Sequence, residues 1–178
     1  MSEQAPPFDQ RELRSALGRF VTGVTVITTR DAEGRLHGVT ANSFTSVSLD
    51  PPLVLWCQAL SSSSYAAFQG SPRFAVNILA EDQIALSNHF AKSGGDKFLT
   101  LPEELGPHEA GLGDVPLLPG VTAHLECLKV ATHIAGDHAI YIGHVQGLRQ
   151  AELPPLVFGR GQYLRAAPHD GSGSVARK

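Results

Sequence analysis

Two strand-like runs, residues 122–134 and 138–148, are separated only by Ala135, Gly136 and Asp137, and no other feature restricts the fold as strongly. A link that short is hairpin-like and joins antiparallel neighbours, because parallel strands need a long crossover. Gly136 allows a turn with positive φ, and the Asp137 side chain can hydrogen-bond back to the turn backbone. Other runs have the same character. VTVITT (24–29) is β-branched throughout, which stiffens the side chains and favours a strand. DAEGR (31–35) reads as the turn that returns the chain into LHGVTANSF. LVLWCQ (53–58) and RFAVNIL (73–79) read as further strands, the latter alternating Phe74, Val76 and Ile78 on one side. Pro51 and Pro52 cannot donate to a ladder, so no central paired strand is expected there. A last short strand is expected through LVFGRGQYL.

Helical signals are few. Asp9 with Glu12 resembles a capping pair, followed by Leu13, Ala16, Leu17 and Phe20 on one apolar face. Ser64 could cap a short helix through Phe68. AEDQIALSNHFAKSGG reads as a third helix, with acids at its start, Lys92 in its last turn and Gly94-Gly95 ending it. Residues 100–121 read as irregular loop, and the tail 166–178 as disordered, which leaves one domain over 1–165. Many strands with tight links and few helices describe a mainly β, antiparallel barrel, not a doubly wound sheet.

Composition excludes several functions. A net charge of −3 without a basic run gives a nucleic-acid surface no support. The N-terminus lacks an apolar signal region and no stretch is long enough to span a bilayer, so no membrane association is expected. Cys57 and Cys127 fall in apolar runs and read as buried free thiols, which suits a reducing cytoplasm. No metal is expected: His138 and His144 lie roughly 20 Å apart along an extended chain and cannot share an ion. No GxGxxG, GxxxxGK[ST] or GxSxG occurs.

Three constellations could carry chemistry. Thr40-Ala41-Asn42-Ser43 is small enough for a planar ligand to lie against main-chain N–H groups; it also reads as an ordinary polar strand end. Ser61, Ser62, Ser63 and Ser64 precede a short helix and could bind phosphate, with Lys97 as counter-charge; four serines equally make a plain loop. His138 after Gly136-Asp137 is either a surface histidine or an imidazole presented to a cleft.

Taken in order, ALGRFVTGVTVITT, GVTANSFTSVSLDPPLV, SSSS, RFAVNIL, SGGDKF, AGDHAIYIGHV and PLVFGRGQY resemble the flavin reductase family, the small reductase components of two-component flavin-dependent monooxygenases. The resemblance covers about residues 13–164. It implies an antiparallel split β-barrel of Greek-key type, usually a homodimer, that binds FAD or FMN and takes hydride from NADH or NADPH. By position, Thr40, Ala41, Asn42 and Ser43 line the isoalloxazine with Ser46, Val47 and Ser48 nearby. The ribityl chain and phosphate fall to Gln58, Ala59 and Ser61 to Ser64, with Lys97 and Phe98 closing over them. His138 is expected at the nicotinamide as the one catalytic residue, with Arg160 and Tyr163 placing the pyridine nucleotide. The reduced flavin then serves a separate oxygenase acting on an aromatic substrate. A flavin-binding carrier or sensor barrel is the alternative, and a pyridoxal-phosphate-type oxidase a second. One departure is Gly159, where many relatives carry a bulkier residue. FAD is favoured slightly over FMN, and NADH over NADPH because no arginine cluster is legible for a 2′-phosphate.

Overall fold

In the computed structural model, which describes residues 7–169, the antiparallel character set by the tight hairpin holds for every strand pair among the described residues. Helix α1 (Gln10–Leu17) leads into strands β1 (Thr22–Gly23), β2 (Thr25–Arg30), β3 (Leu36–Ala41), β4 (Thr45–Leu49) and β5 (Pro52–Ala59). Helix α2 (Tyr65–Gly70), β6 (Arg73–Ile78) and helix α3 (Ile84–Ala91) follow. The short β7 (Glu109–Ala110) and β8 (Pro116–Leu117) precede the long β9 (Ala123–Ala135) and β10 (His138–Gln150). Strands β11 (Leu156–Gly159) and β12 (Gln162–Arg165) come last.

Seven strands form one antiparallel sheet in the order β3-β2-β6-β9-β10-β5-β4. Its two margins, β3 and β4, are consecutive in the chain. The polypeptide therefore crosses from one margin to the other through Asn42, Ser43 and Phe44, and β3 comes close to β5 without pairing with it. The curled sheet is open along that line, which makes it a split barrel. Its interior is filled by Ile27, Val54, Trp56, Phe74, Val76 and Tyr141, and α2 plugs one side with Phe68. Trp56 meets Phe68 edge-on at 4.9 Å between ring centroids. A second core, around Leu79, Leu86, Phe90 and Leu156, covers the outside of β2. Strand β2 is thus buried on both faces. Its threonines are tolerated there because Thr25, Thr28 and Thr29 each donate to a main-chain carbonyl.

Several expectations need correction. The β9–β10 turn is Gly136 (φ 59°) and Asp137 alone, so Ala135 belongs to the strand. TSVSL (45–49) is a strand at the sheet edge, which its exposure had hidden. LVFGRGQYL is two strands, because Arg160 (φ 52°) and Gly161 (φ 76°) turn the chain back on itself. Strand β6 is buried on both faces, with Ala75 and Asn77 as inaccessible as Phe74 and Val76. Helix α3 begins only after Glu81 and Asp82 and ends before Lys92. Within residues 100–121, Val115, Leu117 and Leu118 are buried core residues. The Asp9–Glu12 capping box is present, with both reciprocal bonds made (2.7 and 2.8 Å). Yet α1 buries none of its apolar face in this chain: Leu17 is 65% exposed, and Phe20, which lies beyond the helix end, is 79% exposed. The expected tail lies largely outside the described residues. Among the described residues no helix is long and apolar enough to cross a membrane.

Candidate functional site

The opening in the barrel is a groove of about 320 Å³. One wall is Val39 to Ala41 of β3, the crossing residues Asn42 and Ser43 form its end, and Trp56 to Ala59 of β5 form the opposite wall. Ser62 and His138 complete the rim. The seam between the walls is held by one side chain. Ser43 Oγ accepts the Cys57 N–H and donates to the Cys57 carbonyl, both at 2.9 Å. It therefore satisfies the outer edge of β5 beyond the point where pairing with β4 stops, at Thr45–Leu55. Backbone groups along a strand edge alternate with period two, so the Ala59 N–H faces the same side, toward the groove. Thr40 spends its hydroxyl on the Ser87 carbonyl of α3 (2.6 Å), which braces the β3 wall from behind. Cys57 is half-buried and borders the groove, not buried as its apolar run suggests. Burial pushes its thiol pKa up, so it offers no ready nucleophile.

A smaller cavity of about 150 Å³ adjoins, between Leu36 to Gly38, Ser63, Ser64, the Gly94-Gly95 loop and Lys97. Gln58 shapes its serine turn. Its Nε2 donates to Ser62 Oγ (3.2 Å) and Ser64 Oγ (3.0 Å), while its Oε1 accepts from the Tyr141 hydroxyl (3.3 Å). Ser64 is thus committed to Gln58 and does not cap α2 through its side chain. Ser63 Oγ accepts the Gly94 N–H at 3.1 Å and ties the two loops together. Lys97 Nζ donates to the carbonyls of Gly38 (3.1 Å) and Phe90 (2.8 Å), two of its three donors. Partial burial lowers its pKa. Gly38 has to be glycine, since a Cβ would stand 2.5 Å from the Phe90 ring.

His138, the first residue of β10, is half-exposed, with Nδ1 2.7 Å from Asp137 Oδ1. An ionised carboxylate only accepts, so Nδ1 carries the proton and Nε2 is the free ring nitrogen. The hydrogen bond from His138 is the main cause that holds the Asp137 pKa below the usual range, with a further contribution from Arg14. The Asp137 carbonyl accepts the Leu60 N–H (2.9 Å), which joins this turn to the serine loop.

The structure brings Thr40 to Ser43, Gln58, Ala59, Ser62 and His138 to one groove, and Ser63, Ser64 and Lys97 to the adjoining cavity. Ser46, Val47 and Ser48 lie on the edge strand and Ser61 is an exposed turn residue, none of them lining either space. Phe98 is turned inward against Phe90 (5.2 Å) and His108 (5.3 Å). The Tyr163 hydroxyl lies 2.9 Å from both Asn88 Oδ1 and Ser87 Oγ of α3, donating to the amide oxygen and sharing a hydrogen bond with the serine hydroxyl. Arg160 stands at the β11–β12 turn beside Asn42. Gly159 is required by packing, because a Cβ would meet Val21 at 2.9 Å. Sequence reasoning missed Trp56 and Cys57 as groove residues and the approach of α1 to Asn42. Only Gln58, a polar residue ending an apolar run, signalled that β5 faces a site.

Among the described residues no three His, Cys, Asp or Glu side chains gather to hold a metal. The donor set suits a flat heteroaromatic ring carrying a phosphate arm. Small apolar walls and amide and imidazole groups edge the groove, and hydroxyls, loop N–H groups and one ammonium edge the cavity.

A split barrel with a ring-sized groove at its seam defines a ligand-binding class. Within that class the chain belongs to the family described as "Flavin reductase like domain", which matches residues 17–167. It is 44% identical over 157 residues to the FMN reductase (NADH) SmoA of Agrobacterium fabrum, covering 88% of this chain and 86% of that protein. It is also 44% identical to the reductase component of the flavin-dependent trigonelline monooxygenase of Acinetobacter baylyi, over 94% of this chain and 52% of that protein. The chain thus spans about half the length of some of the curated relatives it matches. The solved NADH:FAD oxidoreductase SgcE6 of Streptomyces globisporus, in complex with NAD and FAD fragments, superimposes with a TM-score of 0.83 at 36% identity. That match covers 96% of this chain and all of the other (100%).

Proposed function

We propose that the chain is an NADH-dependent flavin reductase that supplies reduced FAD or FMN to a separate oxygenase component acting on an aromatic substrate. The observation that carries this is the groove at the barrel seam, walled by small-residue main chain, with a phosphate-sized polar cavity on one side and His138 on its rim. The names of the relatives support it, being FMN reductase, monooxygenase reductase component and NADH:FAD oxidoreductase. Flavin, when bound, supplies the acceptor for a hydride leaving the dihydronicotinamide.

The protein's own task is to position. Thr40 to Ser43 give one ring a flat bed, and the Ala59 N–H and the Asn42 amide can hydrogen-bond its edge. The serine turn, fixed by Gln58, and Lys97 hold the phosphate. His138, oriented by Asp137, offers Nε2 to the second ring. Stacking two rings at about 3 to 3.5 Å needs no protein nucleophile, in keeping with a groove that has none. The test is loss of NADH absorbance on adding FAD or FMN. Rates no higher than without protein would leave a flavin-binding carrier instead.

The exposed apolar face of α1, which flanks the groove near Asn42, supports a homodimer with each site close to the interface. Light scattering at the mass of one chain would contradict that. The free thiols of Cys57 and Cys127 suit a reducing cytoplasm.

A further inference from the structure

Three neighbouring arginines in and just after α1 meet a fourth from far along the chain where the helix approaches the β11–β12 turn, a cluster that was not legible in the sequence. Arg11, Arg14, Arg19 and Arg160 line an open cavity of about 410 Å³ with Ser15 and Gly18. The convergence is built in. Arg11 and Arg14 are one helical turn apart on the same face of α1. The Arg160 N–H donates to the Gly18 carbonyl at 2.7 Å, pinning the hairpin turn to the helix end. Among the described residues the arginine ion pairs join Arg30, Arg35, Arg149 and Arg165 to carboxylates, and none involves these four. Like charges gathered around a cavity repel one another, and an anionic ligand relieves that repulsion.

This cavity is linked to the groove through shared lining residues. A connecting space of about 240 Å³ shares Arg14, Gly18 and Arg160 with it and Asn42 with the groove, and Leu17, Phe20 and Phe158 give that passage apolar walls. A molecule with a ring beside His138 and Asn42 can pass its ribose through the apolar stretch and set a diphosphate among the guanidinium groups, whose planar forks suit phosphate oxygens. The phosphate arm of the flavin is served on the other side, by Lys97 and the serine turn.

We propose that the arginine cavity is the anion subsite for the diphosphate of the reduced pyridine nucleotide. This rests on the reductase reading above. The test is the Arg11→Gln/Arg19→Gln double variant, since neither residue borders the groove or the connecting passage. Steady-state kinetics would compare NADH with N-benzyl dihydronicotinamide, which carries the same reducing ring and no phosphate. The expected result is a KM for NADH raised about tenfold or more, with the benzyl donor and flavin affinity unaffected. ADP should compete with NADH in the wild-type protein and lose potency in the variant. An unchanged KM for NADH overturns the proposal, as does an equal loss with the benzyl donor. A loss that follows FAD and spares FMN also overturns it, giving the cavity to the adenylate of the flavin. Wild-type protein that oxidises neither donor with either flavin overturns the reductase reading and this proposal together. Wild-type turnover beside an unaffected variant overturns this proposal alone.

Discussion

His138 shows how little a side chain need do in a site of this kind. Its ring is fixed by Asp137, the preceding residue, and Nε2 is left as its uncommitted nitrogen at the groove rim. The proposed flavin bed is main chain and small residues of β3, β5 and the crossing between β3 and β4. His138→Ala should therefore raise the KM for NADH severalfold while leaving flavin affinity, read by fluorescence titration, nearly unchanged. Equal losses in both titrations would contradict its placement at the nicotinamide. Residues whose chemistry is their own were legible in the sequence: the small TANS stretch, the serines, Lys97 and the turn histidine. Residues whose role comes from partners were not. Nothing in the sequence pairs Ser43 with Cys57 or commits Ser64 to Gln58, and nothing in it shows that the half-buried Phe98 ring packs against Phe90.

At the scale of elements, β-branched runs and turn glycines exposed most strands and both long hairpins. The exceptions are instructive. Strand β4 lies at an edge and carries no buried apolar alternation, and the β11–β12 turn places a non-glycine residue, Arg160, at positive φ. The β2–β3 hairpin matters for the site because β3 is a groove wall. Its turn is organised by Asp31, whose carboxylate accepts from the Arg35 guanidinium and from His37 Nε2, each at 2.8 Å, and from the Arg35 N–H. Burial alone would push that carboxyl pKa up. The hydrogen bonds from His37 and Arg35 outweigh it and hold it well below the usual range. A pKa depressed on folding contributes stability above the ordinary carboxylate range, and that stability is lost as pH falls. The stability gap between wild type and Asp31→Asn in denaturant titrations should be widest near neutral pH and close as pH drops below about 4. A gap that stays constant down to about pH 3 would contradict this.

For the whole molecule, the question is what keeps an incompletely closed barrel in shape. The crossing between β3 and β4 is tied to β5 at Cys57 by the Ser43 hydroxyl, with the Thr40–Ser87 bond behind β3 and the Tyr163–Ser87 bond linking the last hairpin to the same helix. Ser43→Ala leaves a backbone donor and acceptor unpaired, at a cost of roughly 1–3 kcal/mol. It should lower the denaturation midpoint and loosen flavin retention together, because seam and groove share that wall. A variant with wild-type values of both would show that the seam is held elsewhere.

The hydroxyl at the seam has a consequence for how copies of this chain behave when crowded. A strand rim with bare N–H and C=O groups is a template on which another chain can add a rung. By answering both groups of Cys57 with a side chain instead of a further strand, the protein can keep a slot open for its ligand without offering its neighbours a place to start a fibril.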